Sequence, residues 1–103
     1  MSDAAERPVV VITGGSAGVG RAASIAFARR GWRVAVLARG AEGLAGAQHD
    51  IEAAGGEALC IATDVADEAQ VEAAASQVDR QWGGIDVWVN HAMATIYPPV
   101  DQV

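Results

Sequence analysis

Four short stretches hold residue types able to do chemistry, and each follows an apolar run. The richest is Thr13-Gly14-Gly15-Ser16-Ala17-Gly18-Val19-Gly20. At the head of a helix, free backbone N–H groups and the positive end of the helix dipole would receive a diphosphate there. The glycines divide the work: Gly14 permits a tight exit from a strand, Gly18 removes the side chain that would block the phosphates, and Gly20 lets the helix approach a sheet. Ser16 adds a hydroxyl and an N–H facing the same anion. The other stretches are Ala38-Arg39, Asp64-Val65 and Asn90-His91-Ala92-Met93.

Ala38-Arg39 bears on which dinucleotide would sit on such a turn. A site that selects NAD places Asp or Glu at the end of its second strand to bind the ribose 2′-hydroxyl. Ala38 holds that place here, and the guanidinium of Arg39 next to it suits a 2′-phosphate. Such a charge-assisted contact is worth roughly 1.5–3 kcal/mol, a ten- to hundred-fold preference. NADP is therefore the expected cofactor and NAD the lesser one. The plainer alternative makes Arg39 a solvated residue after a strand, and Asp64 has a similar alternative as a turn residue ahead of Asp67.

The elements that must position these residues follow from hydrophobic periodicity. Pro8 to Ile12 is a β-branched run that reads as a strand buried on both faces. Gly18 to Arg30 reads as a helix whose stripe of Val19, Ala22, Ala23 and Ala26 would face the sheet, with Gly31 ending it. Val34 to Ala38 is a second strand, and Leu44, Ala47, Ile51 and Ala54 give a second helix, closed by Gly55-Gly56 and weakened by Gly43 and Gly46. Ala58 to Ala62 is a third strand. The helix after it is capped by Asp67, with Gln70 reaching back, and buries Val71, Ala74, Ala75, Val78 and Trp82. Ile85 to Asn90 is a fourth strand. Right-handed crossovers then give an α/β fold, a doubly wound parallel sheet of strand order 3-2-1-4. The chain stops soon after that strand, as a truncated sheet would, leaving Val87 and Val89 on an open edge.

Composition narrows the function classes. The chain has 103 residues, enough for one domain, 1–103, and one core. Hydrophobic residues make up 51% and charged residues 19%, which sets it apart from disordered chains. A net charge of -6 and seven scattered arginines with no lysine leave no positive face, so nucleic acid is not an expected partner. With no signal sequence and no apolar span, a cytoplasmic protein with no membrane partner is expected. Cys60, the single cysteine, lies among Ala58, Leu59, Ile61 and Ala62 and reads as a small hydrophobe, not a nucleophile. His49 reads as a surface residue, and Trp32, Trp82 and Trp88 as packing groups. No metal ligand set is assigned.

Taken together, the motifs resemble those of the short-chain dehydrogenase/reductase family. The spacing Gly14-x-x-x-Gly18-x-Gly20 after Thr13 is similar to its glycine motif, Asp64-Val65 to its adenine-contacting pair, and Ile85-Asp86-Val87-Trp88-Val89-Asn90 to the strand leading into its Asn-Asn-Ala-Gly motif. The resemblance covers nearly the whole chain. It implies a Rossmann-type sheet with Gly14, Ser16, Gly18, Val19 and Gly20 at the pyrophosphate, Arg39 at the 2′-phosphate, Asp64 and Val65 at adenine, and Asn90 and Ala92 near the ribose. It also implies an NADP(H)-binding part of an oxidoreductase that interconverts a small-molecule carbonyl and alcohol by hydride transfer, a homo-oligomer when complete. Two departures stand out: His91 and Met93 replace Asn and Gly, which crowds the nicotinamide side. His91 reads as a structural or tuning residue, since no carboxylate is identified to orient it as a base. The family's Ser, Tyr and Lys have no counterparts, since Tyr97 is followed four residues later by Asp101 and there is no lysine. No catalytic residue is therefore assigned, and the chain by itself is expected to be inactive. The alternative is a non-enzymatic nucleotide-binding or interaction module made as a short chain.

Overall fold

Strands and helices alternate strictly along the chain: β1 (Val9–Thr13), α1 (Gly18–Arg29), β2 (Arg33–Ala38), α2 (Ala41–Ala53), β3 (Glu57–Ala62), α3 (Glu68–Trp82) and β4 (Val87–Asn90). The structure, a computed structural model, describes residues 7–14 and 18–90. All strand pairs are parallel, and the order is β3-β2-β1-β4, as the element pattern predicts. β1 and β2 are buried at every residue, which is why they read as continuous apolar runs.

Alternation along these two central strands feeds two cores, one on each face of the sheet. Val10, Ile12, Val34 and Val36 pack with Ala28, Leu44, Ala47 and Ile51 under α1 and α2. Val9, Val11, Ala35 and Leu37 pack with Ala74, Val78 and Trp82 under α3. Asp67 caps α3 as expected, accepting the N–H groups of Ala69 and Gln70. The side chain of Gln70 reaches further back than a capping box requires, its Oε1 accepting the Asp64 N–H at 2.8 Å and its Nε2 lying 3.3 Å from Asp67 Oδ2.

Three expectations need correction. The sheet-facing side of α1 is not the Ala22/Ala23/Ala26 stripe: Ala22 and Ala26 are exposed and Ala23 is half-buried, while Gly20, Ser24 and Ala28 are buried. Alanine carries too little apolar area to orient a helix, and the Ser24 hydroxyl donates to Gly20 O at 3.0 Å, so a polar residue takes the inner face at little cost. β4 begins at Val87, since Asp86 bonds β1 partly through its side chain, whose Oδ2 accepts the Val9 N–H at 2.8 Å. Trp88 is not a packing group among the described residues but 39% exposed, on the face of edge strand β4 opposite Val87 and Val89.

Two features of α1 were not legible in the sequence. Arg21 ties it to α2 through Asp50, with Nε and Nη2 lying 2.8 and 2.6 Å from Oδ2. Gly46, which weakens α2 as a helix former, lies where a Cβ would stand 2.9 Å from the Arg21 guanidinium. Gly56 is held more tightly still. A Cβ there would fall 2.7 Å from Ala28 Cβ and 2.9 Å from both Ala28 Cα and Trp32 O, atoms that cannot swing aside. Gly56→Ala is therefore expected to cost about 1–3 kcal/mol by overpacking. Thermal unfolding checks it, and an unchanged Tm would mean that the contact of the turn before β3 with the end of α1 yields freely.

Candidate functional site

Each strand's carboxyl end delivers one of the candidate stretches. Gly14 follows β1, Arg39 follows β2, Asp64 lies two residues beyond β3, and Asn90 ends β4. In an open parallel sheet this edge is where ligands bind, because the helix N-termini converge on it and the strand order reverses between its two halves. Here the reversal falls at β1, which pairs with β2 on one side and β4 on the other.

At the glycine turn, Gly14 has φ +75° and its N–H donates to Leu37 O at 2.8 Å, the last rung between β1 and β2. Gly18 opens α1 with φ +62°; it is exposed, and a Cβ on it would meet nothing within 4 Å. The first turn of α1 holds no acidic residue. Among the described residues, an open helix start with a positive dipole end, no acidic residue in its first turn and free space at Gly18 fits a diphosphate. Gly20 is buried, as close approach of α1 to the sheet requires, and Val19 is the second residue of the helix. Ser16 and Ala92 lie outside the described residues, as do His91, Met93 and Tyr97.

Asn90 and Val65 meet at one cleft of about 550 Å³ at the carboxyl edge, beside Thr13, Glu68 and Trp88. Thr13 is a positioning residue that sequence reasoning missed. It is 3% exposed, and its hydroxyl donates to Asn90 Oδ1 at 2.9 Å, tying the ends of β1 and β4 together. The only sequence signal for it was its place at the end of an apolar run. Val65 is half-buried against the α3-side core, so its side chain presents only part of its surface to the cleft.

Arg39 and Asp64 are neighbours. Nη1 of Arg39 lies 3.8 Å from Asp64 Oδ1, and the two side chains are 77% and 37% exposed. Asp64 also closes a local turn, with Oδ1 accepting the Ala66 N–H at 3.0 Å. One carboxylate therefore both closes the turn and lies beside the Arg39 guanidinium. Ala38 is buried and sends no polar group toward Arg39.

Other candidates fall away on geometry. Cys60 is half-buried beside the α1/α2 core, and burial with the Glu52 charge behind it pushes the thiol up to about 11, so it stays protonated near neutrality. A second cleft of about 280 Å³ opens at the opposite, amino edge of the sheet. There Arg33 is 5% exposed, donates to Arg7 O at 2.7 Å and stacks 5.5 Å from the Trp82 ring. The cleft also holds Arg7, Asp86 and the carbonyl end of α3, so charges of both signs line it and, among the described residues, no helix N-terminus opens into it. Among the described residues no helix is long and apolar enough to cross a membrane.

Comparison with known proteins agrees with this arrangement. The family model for short chain dehydrogenases matches residues 8–102. A short chain dehydrogenase of Pseudocercospora fijiensis is 39% identical over 93 residues, covering 89% of this chain and 30% of that protein. Human hydroxysteroid dehydrogenase-like protein 2 is 40% identical over 92 residues, covering 82% of this chain and 22% of that protein. Among solved structures, a short chain dehydrogenase of Mycobacterium thermoresistibile superposes with a TM-score of 0.80 at 38% identity, covering 86% of this chain and 34% of that one. An actinorhodin polyketide ketoreductase bearing NADPH gives 0.81 at 33% identity, covering 88% and 34%. A xylitol dehydrogenase bound to NAD+ gives 0.75 at 30% identity, covering 79% and 31%. The chain spans about a third or less of the length of these relatives. With a family match over almost its whole length and a parallel sheet of the same topology beneath a glycine turn, the chain belongs to the short chain dehydrogenase family.

Proposed function

We propose that this chain is a dinucleotide-binding domain that holds NADP(H) for an oxidoreductase interconverting a small-molecule carbonyl and alcohol. The observation that carries the reading is the conjunction at the carboxyl edge: an open, acid-free helix start at Gly18, and Arg39 after a buried Ala38 where an NAD site would place a carboxylate. The relatives supply nicotinamide binding as the class but divide on the cofactor, since one carries NADPH and another NAD+. The choice of NADP rests on Arg39.

In this reading Gly14 sets the turn, its own N–H held by Leu37 O, and the N–H groups that follow it up to Gly20, with the Ser16 hydroxyl, receive the diphosphate. Arg39 pairs with the 2′-phosphate, Asp64 and Val65 border the adenine, and Asn90 and Ala92 flank the ribose region. Thr13 fixes Asn90 by its hydroxyl, which holds the strand ends at a set spacing before any ligand arrives. When bound, the nicotinamide supplies or accepts the hydride. The chain's own part is binding and orientation, because it has no lysine to tune a phenol and its single tyrosine precedes Asp101 by four residues. Titration of the protein with NADPH and NADH, followed by nicotinamide fluorescence, is expected to give at least a tenfold preference for NADPH. Equal affinities, or a preference for NADH, would refute the NADP assignment.

A further inference from the structure

We infer that Asp64 limits how strongly this site prefers NADP, by holding a fixed negative charge against the guanidinium that would receive the 2′-phosphate. The inference rests on the cofactor reading above and deepens it. Nη1 of Arg39 lies 3.8 Å from Asp64 Oδ1. The two partners differ in freedom. Arg39 is mostly exposed and its side chain makes no hydrogen bond to any described residue, so it can turn toward a ligand. Asp64 is held more firmly, by its carboxylate and by its backbone. Its Oδ1 accepts the Ala66 N–H at 3.0 Å, its own N–H donates to Gln70 Oε1 at 2.8 Å, and its carbonyl accepts the Asp67 N–H at 2.9 Å, all at the head of α3.

A phosphate reaching Arg39 therefore meets a carboxylate already beside the same guanidinium. Asp64 shares the cation's charge and repels the phosphate's charge of nearly two, well within a Debye length of roughly 8 Å. Neither effect touches a ribose 2′-hydroxyl, which is neutral. This separates the inference from the adenine contact: adenine is common to both cofactors, so losing a contact to it shifts NADPH and NADH affinities together, whereas losing the Asp64 charge shifts only their ratio.

Asp64→Asn keeps the oxygen that accepts the Ala66 N–H and removes the charge. The ratio of NADPH to NADH affinity is expected to rise about 5- to 10-fold at low ionic strength, following the Coulomb interaction of exposed charges at this range. The gain should shrink toward unity in 0.5 M salt. Asp64→Ser, which can close the same turn through its hydroxyl, should give the same rise and covers a failure of the first variant to fold. An unchanged or lowered ratio in folded Asp64→Asn and Asp64→Ser, or a rise insensitive to salt, would overturn the inference. Failure of the cofactor reading itself looks different, since the unsubstituted protein would then bind neither dinucleotide or would prefer NADH.

Discussion

Arg39→Asp is expected to weaken NADPH binding by about 100-fold or more while leaving NADH within about threefold of its starting affinity. In the proposed reading the substitution removes a charge-assisted contact with the 2′-phosphate and puts a carboxylate in its place, so loss of attraction and gain of repulsion act together. Nothing in the fold should suffer. The Arg39 side chain is 77% exposed, and its ion pair with Asp64 at 3.8 Å is of the exposed kind that contributes little to stability. NADH stands to gain slightly, because an aspartate just after β2 can accept hydrogen bonds from the 2′-hydroxyl. Fluorescence titrations of both nucleotides at matched ionic strength decide it. Equal losses for the two would mean that Arg39 touches a part they share, and no loss for either would make it a solvated surface residue.

Gly18→Val should act on the other half of the ligand and should not discriminate. Gly18 sits at φ +62°, in a region that β-branched side chains adopt only under strain, and it faces open space at the start of α1. A valine there carries a backbone penalty of about 1–2 kcal/mol and projects methyl groups where the diphosphate would lie. NADPH and NADH affinities are expected to fall together by more than about 100-fold, the loss of the anchoring phosphate contacts. Thermal unfolding separates the two components, since the stability loss should stay small relative to the loss of binding. A variant that folds and binds both nucleotides normally would take the diphosphate away from this turn.

The sheet was legible because β1 and β2 are buried on both faces, so their sequences need no polar alternation and stand out as Val- and Ile-rich runs ended by glycine. The strand order followed from the doubly wound pattern, in which the first three strands step one way and the fourth lies on the other side of the first. The α1 face was misread because its inner residues, Gly20, Ser24 and Ala28, are chosen for smallness, which a hydrophobic stripe does not report. Contacts between residues far apart in sequence were out of reach. Asn90 accepting from Thr13, Asp50 holding Arg21 and Arg33 stacking on Trp82 each join side chains whose types alone imply no partner. Asp64 is the instructive case. Its residue type fits a turn or a ligand contact, and in the fold its carboxylate closes the turn to Ala66 and lies 3.8 Å from Arg39 as well.

Amide chemical shifts of the protein, recorded by two-dimensional NMR as NADP is added, test most directly whether the diphosphate rests on the glycine turn. Gly14, Ser16, Gly18, Val19 and Gly20 should show the largest changes, with Arg39 and Asp64 next and the amino edge around Arg33 and Trp82 silent. Changes centred on that opposite edge, or none at saturating NADP, would contradict it.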